Sequence, residues 1–500
     1  MSIAAPFQVR DVDAPALREA IAGISRAGYC EASVRERLGV DDLSQLNWRH
    51  LPIYRDERLT LRDPLALAIE LFLLQGSLTR DELDRLLPAA SRDVLLRTEI
   101  LEIDNGSGLA QMRASLFPVG THLIFSDHAW PELPHPGYTT VPYDHVMAIG
   151  IDSRQLVHAT VRRPVHSALD LCTGSGIHAL LASAHAERVT AVDINARAAA
   201  CTRFNAQALG IHNLEVAVGD LFKPVGDERF DLITANPPFV PSPVNAVGFR
   251  DGGPAGEDVQ KRLIAELPRH LAQGGIAQIV TELGERDGEP LARRLREWLG
   301  NTPIDIYVLR VGSFTPIQYA VGHAKGEDYG SFLESTRAWA GNLRAQGFSA
   351  VVPVLITFQW SDPECGPQWE RIDICAPLQL PAGAEIEQVF EAERLARHPN
   401  FRASIEDKRL RRADPIARFD ASLLGGVAAV ASTQSRATRL GQALRIDHEL
   451  SVIEQQLLDG MHQPVEVSTL IGLCREFKMN ETSAIEAIRS LIRKGLIETR

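Results

Sequence analysis

Apolar residues recur every three to four positions through APALREAIAGISRAGY (Ala14–Tyr29). That spacing lines one face of a helix, and residues 1 to about 60 read as helical. DPLALAIELFLLQG (Asp63–Gly76) predicts an apolar helix opened by Asp-Pro. SLTRDELDRLLP (Ser77–Pro88) predicts a second, with Thr79 as N-cap and Glu82 closing a capping box. SRDVLLRTEILEID (Ser91–Asp104) reads as a third, and GLAQMRASLFPVGTHLIFSD (Gly108–Asp127) alternates like paired strands. Three helices followed by a hairpin is a winged-helix order.

From about Asp152 to Ala324 the pattern changes to short apolar runs separated by helical stretches. The runs are HSALDLC, RVTAVDI, LEVAVGD, FDLITA, IAQIVTEL, IDIYVLRV and IQYAVGHA. GIHALLASAHA, NARAAACTRFNAQALG and EDVQKRLIAELPRHLAQGG lie between them as helices. Strand and helix in alternation predict an α/β fold with a doubly wound, parallel sheet of seven strands. The last two runs lie close together and read as an antiparallel edge pair. Beyond Lys325 a helix (YGSFLESTRAWAGNLRAQGF) and two strands (AVVPVLITFQW and WERIDICAPLQL) read as an appendage to the sheet, its aromatic residues Trp360 and Trp369 packing the strands. The tail from about Ile386 reads as helical and ends, from Leu450, in a second winged-helix-like unit. Within it, EDKRLRRADPIAR (Glu406–Arg418) reads as a solvated helix face. The predicted domains are therefore 1–150, 151–325, 326–385 and 386–500, the first and last being α+β or helical additions to the central sheet.

Composition narrows the functional classes. A net charge of −12, from 52 basic and 64 acidic residues, disfavours a broad phosphate footprint and hence nucleic acid as partner. Six cysteines are scattered without a CxxC pair, so neither a zinc site nor a disulfide framework is indicated, and no metal is expected. A reducing cytoplasm fits this usage. No apolar stretch reaches the length of a membrane span, and the N-terminal residues lack the pattern of a secretory signal.

The chemistry gathers at the ends of the central strands. LDLCTGSG places Asp170 at the end of the first strand, with Thr173, Gly174 and Gly176 in a turn that lets backbone approach a ligand before a helix begins. About twenty residues on, AVDI puts Asp193 and Ile194 at the end of the second strand, where an acidic residue takes ribose hydroxyls. The third glycine of a dinucleotide fingerprint is missing. VAVGDLF sets Asp220 and Leu221 after the third strand, and FDLITANPPFVPSP follows the fourth with Asn236, Pro237, Pro238 and Phe239. Alone, Asn-Pro-Pro is an ordinary strand-ending turn; behind three upstream motifs it reads as a claw for a planar nitrogen group. Cys172 reads as a small residue that the turn accommodates, not as a nucleophile. Asp152 or Ser153 reads as a helix cap or a ligand contact. His128 and His145 read as loop residues or as pocket lining.

These four motifs, in order, resemble the class I methyltransferases that use S-adenosyl-L-methionine. The resemblance is to the subgroup with an Asn-Pro-Pro-aromatic motif: glutamine N5-methyltransferases of release factors and ribosomal proteins, and N6-adenine methyltransferases. It covers roughly Asp152 to Leu283. LDLCTGSG and FRDGGPAGEDVQKRLIAELPRHLAQGG look like the glutamine type, and the whole chain is similar to larger bacterial methyltransferase-like proteins with extra domains at both ends. The resemblance implies a Rossmann-like sheet with S-adenosyl-L-methionine held by Asp170, Thr173, Gly174, Gly176, Asp193, Ile194, Asp220, Leu221 and Asn236. It implies that the Asn236 side-chain oxygen and the Pro237 carbonyl accept hydrogen bonds from the target NH₂, with Phe239 on the flat face of the target. The implied reaction is methyl transfer to an amide or amine nitrogen. The acceptor is a small molecule, peptide or protein bearing NH or NH₂; protein glutamine or a nucleobase (adenine N6 or ribosomal RNA) is the alternative, ahead of a non-catalytic regulator. The winged-helix-like ends suit a dimer contact or a substrate lid.

Overall fold

The computed structural model describes residues 13–129, 142–244, 247–300, 302–326, 328–413, 416–419, 435–440, 443–476 and 480–499. It divides into two compact units. The first takes residues up to Leu156 with Arg163–Asp287 and Thr315–Val351; the second takes Val157–Arg162, Gly288–Phe314 and Val352 onward.

The first unit opens with the helix Ala14–Arg26, whose N–H of Ala16 donates to Asp13 and whose Leu17, Ala20, Ile21 and Ile24 are buried. The helix Pro64–Ala68 is capped by Asp63 and continues as one wider turn, Ile69–Leu73. Then come β1 (Ser77–Leu78), the helix Arg80–Leu86 with the Thr79–Glu82 capping box, and the helix Ala89–Arg97. Glu99 takes a left-handed φ of 56° and ends the third helix early. The chain leaves it as β2 (Leu101–Ile103), which pairs antiparallel with β3 (Ala110–Met112); β3 also pairs with β1. The alternation over Gly108–Asp127 is therefore shared between two sheets, because β4 (Ser115–Val119) and β5 (His122–Ser126) form a separate hairpin.

Five parallel strands follow: β6 (Val165–Leu171), β7 (Ala186–Asp193), β8 (Leu214–Val218), β9 (Phe230–Ala235) and β10 (Leu271–Glu285). Their spatial order is β10-β9-β6-β7-β8. The sheet grows one way from β6 to β8 and the other way from β9 to β10, so its direction reverses between β6 and β9. This is a Rossmann-like α/β core, and the reversal point is where such sheets bind ligands, outside the carboxyl ends of the strands.

The expected seventh strand, IQYAVGHA, is instead the helix Pro316–His323. Thr315 and Gln318 make a capping box and Pro316 occupies the first turn, so the local chemistry starts a helix despite the apolar run. The strand pairing expected of it belongs to Ala350–Trp360. In the second unit β11 (Ile304–Arg310) runs antiparallel to β12 (Ala350–Trp360), from Ile304↔Trp360 to Arg310↔Val354, and parallel to β13 (Glu370–Ile374).

The rest of the second unit holds more strand than the helical, winged-helix-like tail that was expected. After the helix Gly383–Arg397, β14 (Arg409–Arg412) lies between two later short strands. Next come β15 (Ile416–Phe419), β16 (Ser435–Leu440) and β17 (Arg445–Leu450), paired antiparallel in that order. β18 (Val465–Glu466) and β19 (Ile497–Thr499) are the two partners of β14. The stretch read as a solvated helix face is thus mostly strand. Leu410 is buried while Arg409 and Arg411 reach Glu466 and Glu498 on the flanking strands. Those pairings exploit the two-residue period of a strand. The helices Val452–Gly460, Val467–Glu476 and Glu481–Arg493 complete this unit over a core that includes Leu458, Leu470, Ile488 and Leu491. Among the described residues no helix is long and apolar enough to cross a membrane.

One ion-paired group fastens the N-terminal module of the first unit. Arg154 is buried and donates through Nε and Nη2 to Asp42 at 2.9 and 2.8 Å, and through Nη2 to Glu31 at 2.5 Å. Burial opposes the ionised form of Asp42, but the Arg154 and Ser44 hydrogen bonds outweigh it and leave the carboxyl below its usual range. That contribution is complete above the ordinary carboxyl pKa near 3.8 and is lost as the pH falls through the depressed value. Removing the guanidinium strands two carboxylates. Arg154→Met is expected to cost about 3–5 kcal/mol near neutral pH, measured by urea unfolding.

Candidate functional site

The carboxyl ends of β6 and β9 are paired at Leu171↔Ala235, so the turn after β6 and the claw after β9 leave the sheet side by side. A cavity of about 460 Å³ opens there. Of the residues singled out in the sequence, Thr173, Gly174, Asp193, Ile194 and Asn236 line it, together with His145, Ser153, Cys172 and Pro238. The turn depends on its glycines. Gly174 has φ 57° and Gly176 has φ 90°, and a Cβ on Gly176 would lie 2.8 Å from the Thr202 methyl. Cys172 also takes a left-handed φ, 55°, and burial pushes its thiol well above its ordinary pKa, which leaves no thiolate for nucleophilic work.

Asp193 ends β7. It accepts the Gly174 N–H at 2.9 Å and the Asn195 N–H at 2.8 Å, and burial raises its pKa against these bonds. A carboxylate has roughly four acceptor sites, so these bonds leave it capacity for a hydroxyl in the cavity. A carboxylate at the strand end beside a glycine turn fits the adenosyl part of S-adenosyl-L-methionine. Asp170 lies deeper. Its carboxyl is buried and takes Thr173 Oγ1 at 2.6 Å, Thr234 Oγ1 at 2.8 Å and the Ala179 N–H at 3.3 Å. Burial pushes it up to about 7, with the hydroxyl bonds acting the other way. It is a brace beneath the cavity, outside the described lining.

Asp220, Leu221, Pro237 and Phe239 also lie outside that lining. Asp220 accepts Lys223 Nζ at 2.8 Å and Arg262 Nη2 at 2.6 Å, and the Lys223 bond leads the causes that hold its pKa down. Leu221 is buried with φ 51°. Pro237 is buried, whereas its neighbour Pro238 lines the cavity. Phe239 packs with Tyr319, Trp339, Leu343 and Phe348 in a hydrophobic cluster. The aromatic side chain in the cavity wall near the claw is Phe249. It belongs to a loop laid along the claw's exit, where Val240 N–H donates to Arg250 O at 2.9 Å and Gly252 N–H to Val240 O at 3.0 Å. Gly252 lies so close that a Cβ there would be 2.7 Å from the Pro238 carbonyl, and one on Gly256 would collide with the Phe239 carbonyl.

Asn236 has its amide turned by a neighbour. Its Nδ2 donates to Ser153 Oγ at 3.1 Å, so Oδ1 points the other way as an acceptor. Behind Ser153, Asp152 interacts with Glu282 of β10, and Tyr319 donates its hydroxyl to Glu282 at 2.5 Å. Burial pushes Asp152 up to about 6 and Glu282 up to about 8, the charge of Asp152 adding to the second shift. His128 bonds Ser115 and the Met112 carbonyl, away from the cavity, while His145 lines it. A strap from Tyr143 to Met147 forms the cavity's outer wall. Asp127 holds that strap by accepting the Val146 N–H at 2.8 Å and both Nη atoms of Arg197 at 2.5 Å. Burial lowers the pKa of His145, keeping the ring neutral. Of the two histidines read as loop residues or pocket lining, His145 falls in the wall and His128 does not; the partnership of Asp127 with Arg197, 70 residues on, carried no local sign.

The Glu282 shift has a testable sign. Its folded pKa lies above the unfolded one, so the stability it contributes is complete below about 4.5 and is lost as the pH rises toward about 8. Glu282→Gln removes the loss. The urea midpoint of the variant is expected to gain on that of the parent steadily from pH 5 to pH 8 and to gain little beyond.

Comparison with known proteins agrees with the fold and the motifs. Residues 148–302 match the family described as Methyltransferase small domain, and residues 26–114 match Domain of unknown function (DUF7059). The ribosomal protein uL3 glutamine methyltransferase of Bradyrhizobium diazoefficiens is 39% identical over 137 residues, covering 24% of this chain and 41% of that protein. The release factor glutamine methyltransferase of Geobacter sulfurreducens is 31% identical over 152 residues, covering 27% and 53% respectively. The release factor glutamine methyltransferase of Cereibacter sphaeroides is 32% identical over 156 residues, covering 28% and 55%. The chain spans about half the length of these relatives. Through residues 148–302 the chain is related to the class I S-adenosyl-L-methionine-dependent methyltransferases, and among them to the glutamine methyltransferases.

Proposed function

We propose that the protein methylates the side-chain amide nitrogen of a glutamine in a protein or peptide. The observation that carries this reading is the Asn236 amide: with Nδ2 spent on Ser153, its oxygen is left to accept from an NH₂ group in the cavity. S-adenosyl-L-methionine, when bound, supplies a methyl group already activated by its sulfonium. Asn236 Oδ1 takes one N–H of the target and the Pro237 carbonyl takes the other. Proline offers no competing N–H and holds that carbonyl outward. Together the two acceptors fix the nitrogen's direction and stabilise positive charge as it grows there. Asp193 and the Gly174 turn hold the cofactor; the strap Tyr143–Met147 keeps water from the reacting atoms.

Relatives bearing this claw are glutamine methyltransferases by name, which favours a protein glutamine over the small molecule that the flanking domains had suggested. A chain with net charge −12 lends little support to an RNA acceptor. The module Pro64–Met112 runs helix, short strand, two helices and hairpin, a winged-helix-like order, and we assign it to acceptor recognition rather than to DNA.

Two variants separate the roles. Asn236→Ala is expected to lower turnover by roughly 10²-fold or more, as for loss of an electrostatic catalytic partner, with cofactor affinity nearly unchanged by calorimetry. Asp193→Asn is expected to weaken that affinity at least roughly tenfold, the scale of one lost charge-assisted hydrogen bond. Cell extract incubated with labelled S-adenosyl-L-methionine, then split into protein, RNA and small-molecule fractions, is expected to carry label in protein, on glutamine.

A further inference from the structure

Beside the cofactor cavity the first unit holds a second one, of about 300 Å³. Leu43, Leu46, Leu73 and Phe117 form one wall; Ile149 and Val247 stand among the residues of the other. The first three belong to the stretch that matches a domain of unknown function. His145, Met147 and Phe249 line both cavities, so these three side chains are the partition between them. His145 and Phe249 lie against each other with ring centroids 5.2 Å apart.

We infer that this second cavity seats the side chain next to the acceptor glutamine, and that this side chain is bulky and apolar. The inference rests on the glutamine reading above. A glutamine whose amide reaches Asn236 leaves its backbone at the mouth of the first cavity, near Phe249. Successive Cα atoms are about 3.8 Å apart and successive side chains of an extended chain point to opposite sides. A neighbour of the glutamine therefore meets the far face of the partition. The walls there are aliphatic and aromatic. The charged residues in the described lining, Arg250 and Lys325, are both basic, and no carboxylate stands among them. Arg250 is already matched by Asp251 at 2.8 Å. A lysine or arginine beside the glutamine would find like charge and no partner, whereas a leucine or phenylalanine gains burial. On this reading the N-terminal module is the specificity wall of the acceptor site.

The test uses the full chain, labelled S-adenosyl-L-methionine and four short Gly/Ser peptides. Each carries one glutamine flanked on both sides by Leu, Gly, Glu or Lys. The Leu-flanked peptide is expected to exceed the Gly-flanked one by roughly tenfold or more in kcat/KM, a normal yield for an apolar pocket, with the Lys-flanked peptide lowest. Ala148 lines only the second cavity among the two. Ala148→Phe, which fills it, is expected to bring the Leu-to-Gly ratio close to one. Leu46→Ala, which enlarges it, is expected to move the preference from the Leu-flanked peptide toward a fifth one, flanked by Phe. Equal methylation of all four peptides, or preference for the Glu-flanked one, overturns the inference and leaves the glutamine reading standing. Methylation of none of them, with label confined to the RNA or small-molecule fraction of an extract, overturns the glutamine reading and this inference with it.

Discussion

A single buried carboxyl group, that of Asp170, joins the three backbone segments from which the site is made. It sits at the end of β6, takes the hydroxyl of Thr173 from the following turn, and takes the hydroxyl of Thr234 from β9 two residues before Asn236. The Ala179 N–H binds it to the first turn of the next helix. A group so deeply buried is costly unless its acceptor sites are filled, and here three donors from three segments fill them. The spacing between cofactor turn and claw is thereby set from below, by a residue that the described cavity lining does not include. The site's precision belongs to the sheet, and its openness to the loops above.

The N-terminal module reaches this platform through polar side chains as well as apolar ones. Asn205, wholly buried, accepts the Phe125 N–H and donates to the Phe125 and Ser175 carbonyls, each at 2.8 Å. One amide thus ties the edge of the β4–β5 hairpin to the glycine turn. Asp127, just past that hairpin, grips Arg197 and the strap over the cavity. Arg154 joins the helix carrying Ser153 to Asp42 and Glu31. Directional bonds of this kind specify one seating of the module where apolar contact alone tolerates several. The proposed wall, to discriminate between acceptor side chains, needs that definition.

Much of this was legible in the chain because the central strands carry their own punctuation. Each of β6, β7 and β9 ends in a polar or glycine-rich stretch that stops the strand and contributes to the cavity wall, so position and candidate role arrive together. The misread elements lacked such agreement. IQYAVGHA has the apolar content of a strand, yet Thr315, Pro316 and Gln318 before and within it are a helix start, and local capping prevails over a short run. Glu406–Arg418 is charged enough to pass for a helix face, but strand pairing with Glu466 and Glu498 supplies the partners that alternate arginines require. Pairings across long stretches of chain left no trace at all: Ser153 with Asn236 is separated by 83 residues and Tyr319 with Glu282 by 37. Side-chain direction was equally silent. Phe239 follows the claw in sequence, yet its ring sits in a core cluster and Phe249 stands at the cavity.

The glycines after the claw have a consequence for how the protein can change. Gly252 and Gly256 rest directly on the carbonyls of Pro238 and Phe239, with no room for a first carbon. A side chain at either position acts as a shim, displacing the backbone that follows Asn236. Phe249 and Arg250, in the same loop, are half-buried side chains of the cavity walls. On the proposed function, acceptor preference can therefore drift by substitution at the rim while the claw stays fixed, and the two glycines are the hinge pins that keep those properties apart.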